Sequence, residues 1–225
     1  MSDGFEGLID DALGFFRELE ANNRKDWFEP RKETYNTRIK KPAELLAALL
    51  AEDLGRISAT PFKPKLFRIY RDVRFSKDKT PYNTHLHLSW FPPGGESRPG
   101  WFFGAAPSYL FLGTGVPALQ GPKLAAFRAE IDADGDTLSD ALEAAHAAVG
   151  AKLSEFGAAP LKRVPKPYDP DHPHGDLLKR KGLVIGADLP PDWRETGLVA
   201  SLTALARQME PVRAWIDRAM TERRA

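Results

Sequence analysis

LFRIYRDVRFSKDKTPYNTHLHLSWF, residues Leu66–Phe91, is the stretch that decides how this chain folds. In its first arm, Leu66–Phe75, the odd positions Phe67, Ile69, Val73 and Phe75 are apolar, Arg71 excepted, and the even positions Arg68, Tyr70, Asp72 and Arg74 are polar. In the second arm, Tyr82–Phe91, the phase reverses: Thr84, Leu86, Leu88 and Trp90 share one face, and Asn83, His85, His87 and Ser89 the other. Alternation with period two marks a half-buried strand. SKDKTP, between the arms, is turn-rich. The pattern predicts an antiparallel hairpin, 66–75 against 82–91. Matching apolar face to apolar face sets Phe67 opposite Trp90 and Ile69 opposite Leu88; on the polar face Arg74 then meets Asn83, Asp72 meets His85, and Tyr70 meets His87. A slip of two residues either way serves the core equally, so the pattern sets the faces and leaves the register open.

Outward from the hairpin the period changes to that of helices. Leu8, Ile9, Ala12, Leu13, Phe16 and Leu19 recur at helical spacing, and Asn22-Asn23 ends that segment. A second helix is expected from Asp26–Pro30, with Asp26 as its cap and Trp27 and Phe28 stapling it to the first; Pro42 kinks or restarts it. A leucine stripe (Leu45, Leu46, Leu49, Leu50, Leu54) follows and stops at Gly55. Beyond the hairpin, PPGGESRPG is a loop, and WFFGAAP with SYLFLGTG reads as one bent strand or two short ones broken near Pro107. Helices are expected over 122–131 and 138–149, joined by the acidic stretch Asp132–Asp136. Leu161–Asp176 is a long proline-rich loop, GLVIG a short buried strand, and a last helix runs from about Leu198 to the end, kinked at Pro211. Helices, then strands, then helices describe an α+β fold. With no internal repeat and no long polar linker, residues 1–225 read as a single domain, a mainly antiparallel sheet packed by N-terminal and C-terminal helices.

Composition narrows the function. A hydrophobic fraction of 42% is ample for a core, and a net charge of +1 argues against a protein that coats nucleic acid over its whole surface. The absence of cysteine excludes disulfides, thiol catalysis and thiolate zinc sites. The N-terminus, MSDGFEGLIDD, is acidic and unlike a signal peptide, and no apolar run is long enough to span a bilayer, so a cytoplasmic protein without a membrane partner is expected. No Walker A loop or dinucleotide fingerprint is present (GTG at Gly113–Gly115 lacks a third glycine), and no cofactor is expected.

Charge is concentrated at the hairpin. Lys63, Lys65, Arg68, Arg71, Arg74, Lys77 and Lys79 face only Asp72 and Asp78, a local charge of +5. Arg68 and Arg74 share the polar face, Arg71 points the other way unless a bulge re-aims it, and Lys77 and Lys79 sit in the turn. Guanidinium forks and mobile ammonium groups suit phosphate or carboxylate. Lys162 and Arg163 in the proline-rich loop, and Lys181 beyond it, are candidates to close over the same ligand, and Tyr82 lies among these cations. Asp72 opposite His85 would orient the imidazole and favour its charged form, making the pair the candidate acid–base couple; its structural alternative is a hydrogen bond that fixes the register. His85 with His87, and His172 with His174, form two H-x-H pairs, but nothing in the sequence brings them together and no metal is assigned.

RIYRDVRFSKDKTPYNTH resembles the signature of a large family, mostly bacterial with some fungal members, known only as a conserved domain of unknown function. That family typically carries NN-x-x-WF, then RIYRD-x-RFS-x-DK-x-PYKTH, then KR-x-P and HP-x-x-x-LL-x-x-K. Here these are Asn22-Asn23 with Trp27-Phe28, Arg68–His85, Lys162-Arg163 with Pro165, and His172-Pro173 with Leu177-Leu178 and Lys181. Asn83 stands where the family commonly has lysine, and His87 and His174 fall outside the motif. The resemblance implies one domain and a real site, and it supplies no activity. The expected function is binding of a small phosphate- or carboxylate-bearing ligand at the basic hairpin face, with action on that ligand left open. The alternatives are a nucleic-acid-binding module using the same patch, and an interaction protein whose cations serve internal salt bridges. Oligomeric state is not legible.

Overall fold

The computed structural model describes residues 4–220. Helix α1 (Glu6–Ala21) buries Leu8, Ile9, Ala12, Phe16 and Leu19, the expected stripe, and Asn22 caps its end by donating its backbone N–H to the Leu19 carbonyl. The next helical run is broken into pieces: α2 (Lys25–Phe28), a 3-10 turn over Glu29–Arg31, α3 (Lys32–Thr34), a π turn over Tyr35–Lys40, and α4 (Lys41–Ile57). Asp26 is not the cap expected of it. It lies inside α2, which Arg24 precedes, and pairs with Arg24 at 2.9 Å. The restart expected at Pro42 is real: proline has no N–H to give a preceding carbonyl, and the wide π turn falls immediately before it. α4 runs on past Gly55. Only Leu46, Leu50 and Leu54 of its leucines are buried, and Leu45 and Leu49 face solvent. Trp27 and Phe28 do staple the N-terminal helices together, each ring packing against Phe15.

Six strands form one antiparallel sheet: β1 (Lys63–Leu66), β2 (Leu86–Phe91), β3 (Gly100–Ala106), β4 (Tyr109–Val116), β5 (Lys152–Leu153) and β6 (Leu183–Asp188), in the order β1-β2-β3-β4-β6-β5. The two aromatic segments are thus separate strands joined at Pro107-Ser108, and the glycines of GTG lie inside β4 rather than in a phosphate loop. Leu88, Trp90, Trp101, Phe103 and Leu112 fill the inner face and are almost wholly buried. Against that face lie α4, whose Ala47 carbonyl accepts the Trp90 indole N–H at 2.8 Å, and α8 (Leu198–Met220).

The central hairpin is present with different limits and register. β1 ends at Leu66, and the ladder pairs Pro64 with Trp90 and Leu66 with Leu88. Beyond it residues 67–85 make an excursion that carries one further bridge, Tyr70 to Tyr82. Leu66 to Tyr70 spans four steps on the first arm, and Tyr82 to Leu88 spans six on the second, so no continuous ladder joins them. The alternation in the first arm therefore misleads about burial. Ile69 enters the core, but Phe67 is 41% exposed and Phe75 is 96% exposed.

Helix α5 (Gly121–Val149) is one element where two were expected. Its bend falls at Asp134 (φ −144°, ψ 36°), inside the acidic connector, and the Asp134 carboxylate accepts from the Trp215 indole at 3.1 Å and from Thr137 at 2.5 Å. The proline-rich loop leads into α6 (Gly175–Leu178), and α7 (Trp193–Thr196) precedes α8. α8 buries Leu198, Leu202, Leu205, Met209, Val212 and Ile216, as its stripe predicts; residues 221–225, to which the expected helix extended, lie outside the described residues. Among the described residues no helix is long and apolar enough to cross a membrane.

Candidate functional site

Among the described residues the helices leave the outer face of the sheet free, and strand register arranges that face in two rows. One runs His87, Gly104, Phe111, Asp188 across β2, β3, β4 and β6. The other runs Ser89, Phe102, Gly113, Gly186, Lys152 across β2, β3, β4, β6 and β5. Aromatic rings thus alternate with glycines. The glycines are required by close approach: a Cβ on Gly104 would lie 2.4 Å from the Phe111 ring, and one on Gly113 would lie 2.8 Å from the Ile185 carbonyl oxygen. With Phe67 on one side and Leu153 and Phe156 on the other, the rows floor a cleft of about 650 Å³.

His85, His87 and Tyr109 stand at one end of this cleft. The two imidazoles stack with centroids 3.8 Å apart and planes 23° apart, and His87 Nε2 lies 2.7 Å from the Tyr109 hydroxyl. Burial holds both histidines below their usual range, His87 down to about 4 with His85 as the second cause. Burial also raises the Tyr109 phenol. At neutral pH the cluster is uncharged, and each neutral imidazole offers one donor and one acceptor.

A second groove, of about 410 Å³, adjoins the first. Lys65, Arg68, Arg71, Asp72 and Asn83 line it, and Phe67 is common to both. Most cations of the segment are spent internally. Arg71 binds the Asp78 carboxylate at 2.6 Å and also Thr80, and Arg74 grips Asp72 in a fork of 2.9 and 2.7 Å. Lys79 donates to the Val73 carbonyl at 3.0 Å, and Lys65 pairs with Glu96 at 3.0 Å. These pairs hold the Asp72 and Asp78 carboxylates below their usual range; for Asp78, at about 2, the Thr80 backbone N–H contributes most. The Arg68 and Lys77 side chains make no such hydrogen bond or ion pair among the described residues, though the Arg68 charge helps to lower the Asp72 carboxylate. Asn83, at the position where the resembled signature has lysine, donates to the Arg68 carbonyl at 3.0 Å.

The expected groupings are redrawn accordingly. Asp72 and His85 do not meet: the bridge at Tyr70 and Tyr82 puts Asp72 level with Thr80, and its carboxylate belongs to Arg74. His85 is shifted toward its neutral form by burial, opposite to the effect expected of an aspartate partner. Tyr82 is 3% exposed, with its ring 4.3 Å from Phe28, and is a core residue rather than a ligand contact. Lys162, Arg163 and Lys181 do not close over the hairpin. The Leu161 N–H is bound by Lys179 and the Leu119 N–H by Lys181, beyond the end of the sheet where Val116 pairs with Leu183. The excursion leaves from the opposite end, at Leu66 and Leu86, and β6 lies three strands away from β2. The two H-x-H pairs are separate as well. His172 and His174 face Asp132 and Asp136 of α5, at 3.3 and 3.0 Å. Among the described residues no three His, Cys, Asp or Glu side chains are grouped to hold a metal.

Tyr109, Phe111 and the glycine floor escape a search for charged motifs. Their signal was in WFFGAAP and SYLFLGTG, where Phe102 precedes Gly104 and Phe111 precedes Gly113 at the spacing of one sheet face.

A family model described as Conserved hypothetical protein (DUF2461) matches residues 11–215. The chain belongs to that family. No curated protein and no solved structure matches it. Nearly all of this DUF2461 chain is covered by the match, from α1 through the sheet to α8, so cleft, excursion and histidine cluster all lie within the family's domain.

Proposed function

We propose that this protein binds a small organic anion across the two adjoining grooves, with the ligand's apolar body on the aromatic–glycine floor and its phosphate or carboxylate at Arg68. The observation that carries the reading is the sharing of Phe67: a largely apolar cleft and a cationic groove meet at one side chain. Their combined form is that of a small-molecule site, concave, mainly apolar and furnished with a few polar groups. Among the described residues the Arg68 guanidinium makes no hydrogen bond or ion pair and acts on the neighbouring Asp72 only through space, so an incoming anion need not break a contact to reach it. The fully paired Arg71 and Arg74, together with Lys79, serve the internal role that a basic segment can also have: they shape the excursion.

Titration with anilinonaphthalene sulfonate, an aromatic body with one fixed anion, tests this reading by fluorescence. Saturable binding at one site is expected, weakened about tenfold in Arg68→Ala, the loss typical of one charge-assisted contact. Binding that ignores Arg68 would discard it.

A further inference from the structure

The cleft has features that a general apolar pocket does not need. Its floor is two rows in which rings alternate with glycines, and the Phe111 ring lies over Gly104, where an added Cβ would be 2.4 Å from it. The face of an aromatic ring accepts a planar ring in an offset stack. Polar groups surround it: the His87 imidazole and the Asp188 carboxylate close the two ends of one row, and the Lys152 ammonium ends the other. Asp188 and Lys152 are exposed and line the cleft, so their charges face a ligand that enters from solvent. A heteroaromatic ring carries donors and acceptors on its edge that can meet these groups, which a hydrocarbon body lacks. The anion groove begins at the far side of Phe67, so a ring on the floor and an anion at Arg68 belong to two ends of one small molecule.

From this we infer that the ligand is a nucleoside monophosphate, its base lying on the Phe102–Phe111 floor and its phosphate at Arg68. The inference rests on the two-groove reading above and specifies its ligand. Charge complementarity favours a single phosphate over a polynucleotide. A polymer needs a track of free cations along its backbone, and here Arg71, Arg74, Lys79 and Lys65 are committed to internal partners. The cleft is also walled on both flanks, by Phe67 and by Leu153 with Phe156.

Calorimetric titration of the whole chain with the four ribonucleoside 5′-monophosphates, with ribose 5-phosphate and with an octauridylate tests it. At least one monophosphate is expected to bind about tenfold or more tighter than ribose 5-phosphate, the loss of one stacked base. Phe111→Leu should weaken that nucleotide about tenfold and leave ribose 5-phosphate unchanged. Phe67→Ala, at a position exposed enough that folding is not at stake, should act the same way, and Arg68→Ala should weaken both compounds. Equal binding of nucleotide and ribose 5-phosphate overturns the base and leaves the anion site standing. No nucleotide binding, with anilinonaphthalene sulfonate still dependent on Arg68, overturns the nucleotide and spares the two-groove reading; loss of both dependences removes both. Octauridylate binding tighter than any monophosphate, with a steep salt dependence, replaces the small ligand by a single-stranded nucleic acid.

Discussion

Asn23 clamps the backbone of Tyr82: its amide Nδ2 donates to the Tyr82 carbonyl at 2.9 Å, and its Oδ1 accepts the Tyr82 N–H at 3.1 Å. One side chain thereby supplies the pairing that a neighbouring strand would give, at the point where the excursion has only the bridge from Tyr70. Asn23→Ala leaves both Tyr82 groups without that partner. The expected cost is about 2 kcal/mol in urea unfolding, with faster proteolytic cleavage within residues 71–79. Asn23→Asp keeps the acceptor and loses the donor, and should fall between. An Asn23→Ala protein as stable and as protease-resistant as the parent would show that the clamp is idle.

The histidine cluster makes stability depend on pH. His87 takes a proton near pH 6.5 when unfolded and only near pH 4 in the fold, so between these values the unfolded chain holds more protons. Stability from this residue is complete above pH 6.5 and is lost as pH falls toward 4, amounting to about 2–3 kcal/mol after allowance for partial solvent access. His85 acts in the same direction. Urea midpoints at pH 5, 6 and 7 should rise with pH, and the rise should shrink in His87→Asn. An NMR titration that finds His87 half-protonated near pH 6.5 in the folded protein would contradict the burial argument.

Of the arginines in the segment, Arg68 and Arg74 should behave differently. Arg74 is bound to Asp72 at the surface, so Arg74→Ala is expected to change anilinonaphthalene sulfonate affinity less than about twofold and the melting temperature little. Arg68→Ala should reduce affinity about tenfold with the melting temperature equally unmoved. Reversal of this order, read by fluorescence titration and thermal melts side by side, would move the anion site to the turn.

Gly104→Ala tests the floor. The new methyl meets the Phe111 ring, which has to tilt into the cleft. A destabilisation of about 1–2 kcal/mol is expected from overpacking, together with weaker anilinonaphthalene sulfonate binding. Unchanged binding at reduced stability would place the probe elsewhere.

Arg213 is 3% exposed on α8, held by Glu210 at 2.8 Å in a fork and near Asp217 at 3.6 Å. Arg213→Ala removes the guanidinium while Glu210 keeps the Ser58 hydroxyl and Asp217 keeps Arg98, and the expected loss is about 1–3 kcal/mol in chemical denaturation. A loss below about 1 kcal/mol would mean that water reaches the carboxylates once the guanidinium is gone.

The fold was legible where burial alone decides it. The helical stripes of α1 and α8 and the inner face of β2 (Leu86, Leu88, Trp90) recur in the core because a periodic apolar face has one place to go. Residues 67–75 misled because alternation records which side chains could share a face, not whether a partner strand is in step. Here Asn23 and Phe28 take hold of Tyr82 and set the local register from outside the hairpin. The candidate site was half legible. Arg68 lines the cationic groove and His85 the apolar cleft rather than one shared face, and neither composition nor period reveals that Arg74 is consumed by Asp72, two residues away. Nor could it be read that sheet order carries Lys162, Arg163 and Lys181 to the far end of the molecule.

A bare sheet face covered in aromatic rings invites chains to join edge to edge into fibrils. The strand order answers that hazard. Its outermost members are β1, with four residues reading Lys-Pro-Lys-Leu, and β5, with the two residues Lys152 and Leu153. Short rims bearing proline and lysine make poor templates for another strand. The long, well-paired strands that carry the rings are all interior to the sheet. The protein can therefore keep a sticky platform open to solvent without paying for it in polymerisation.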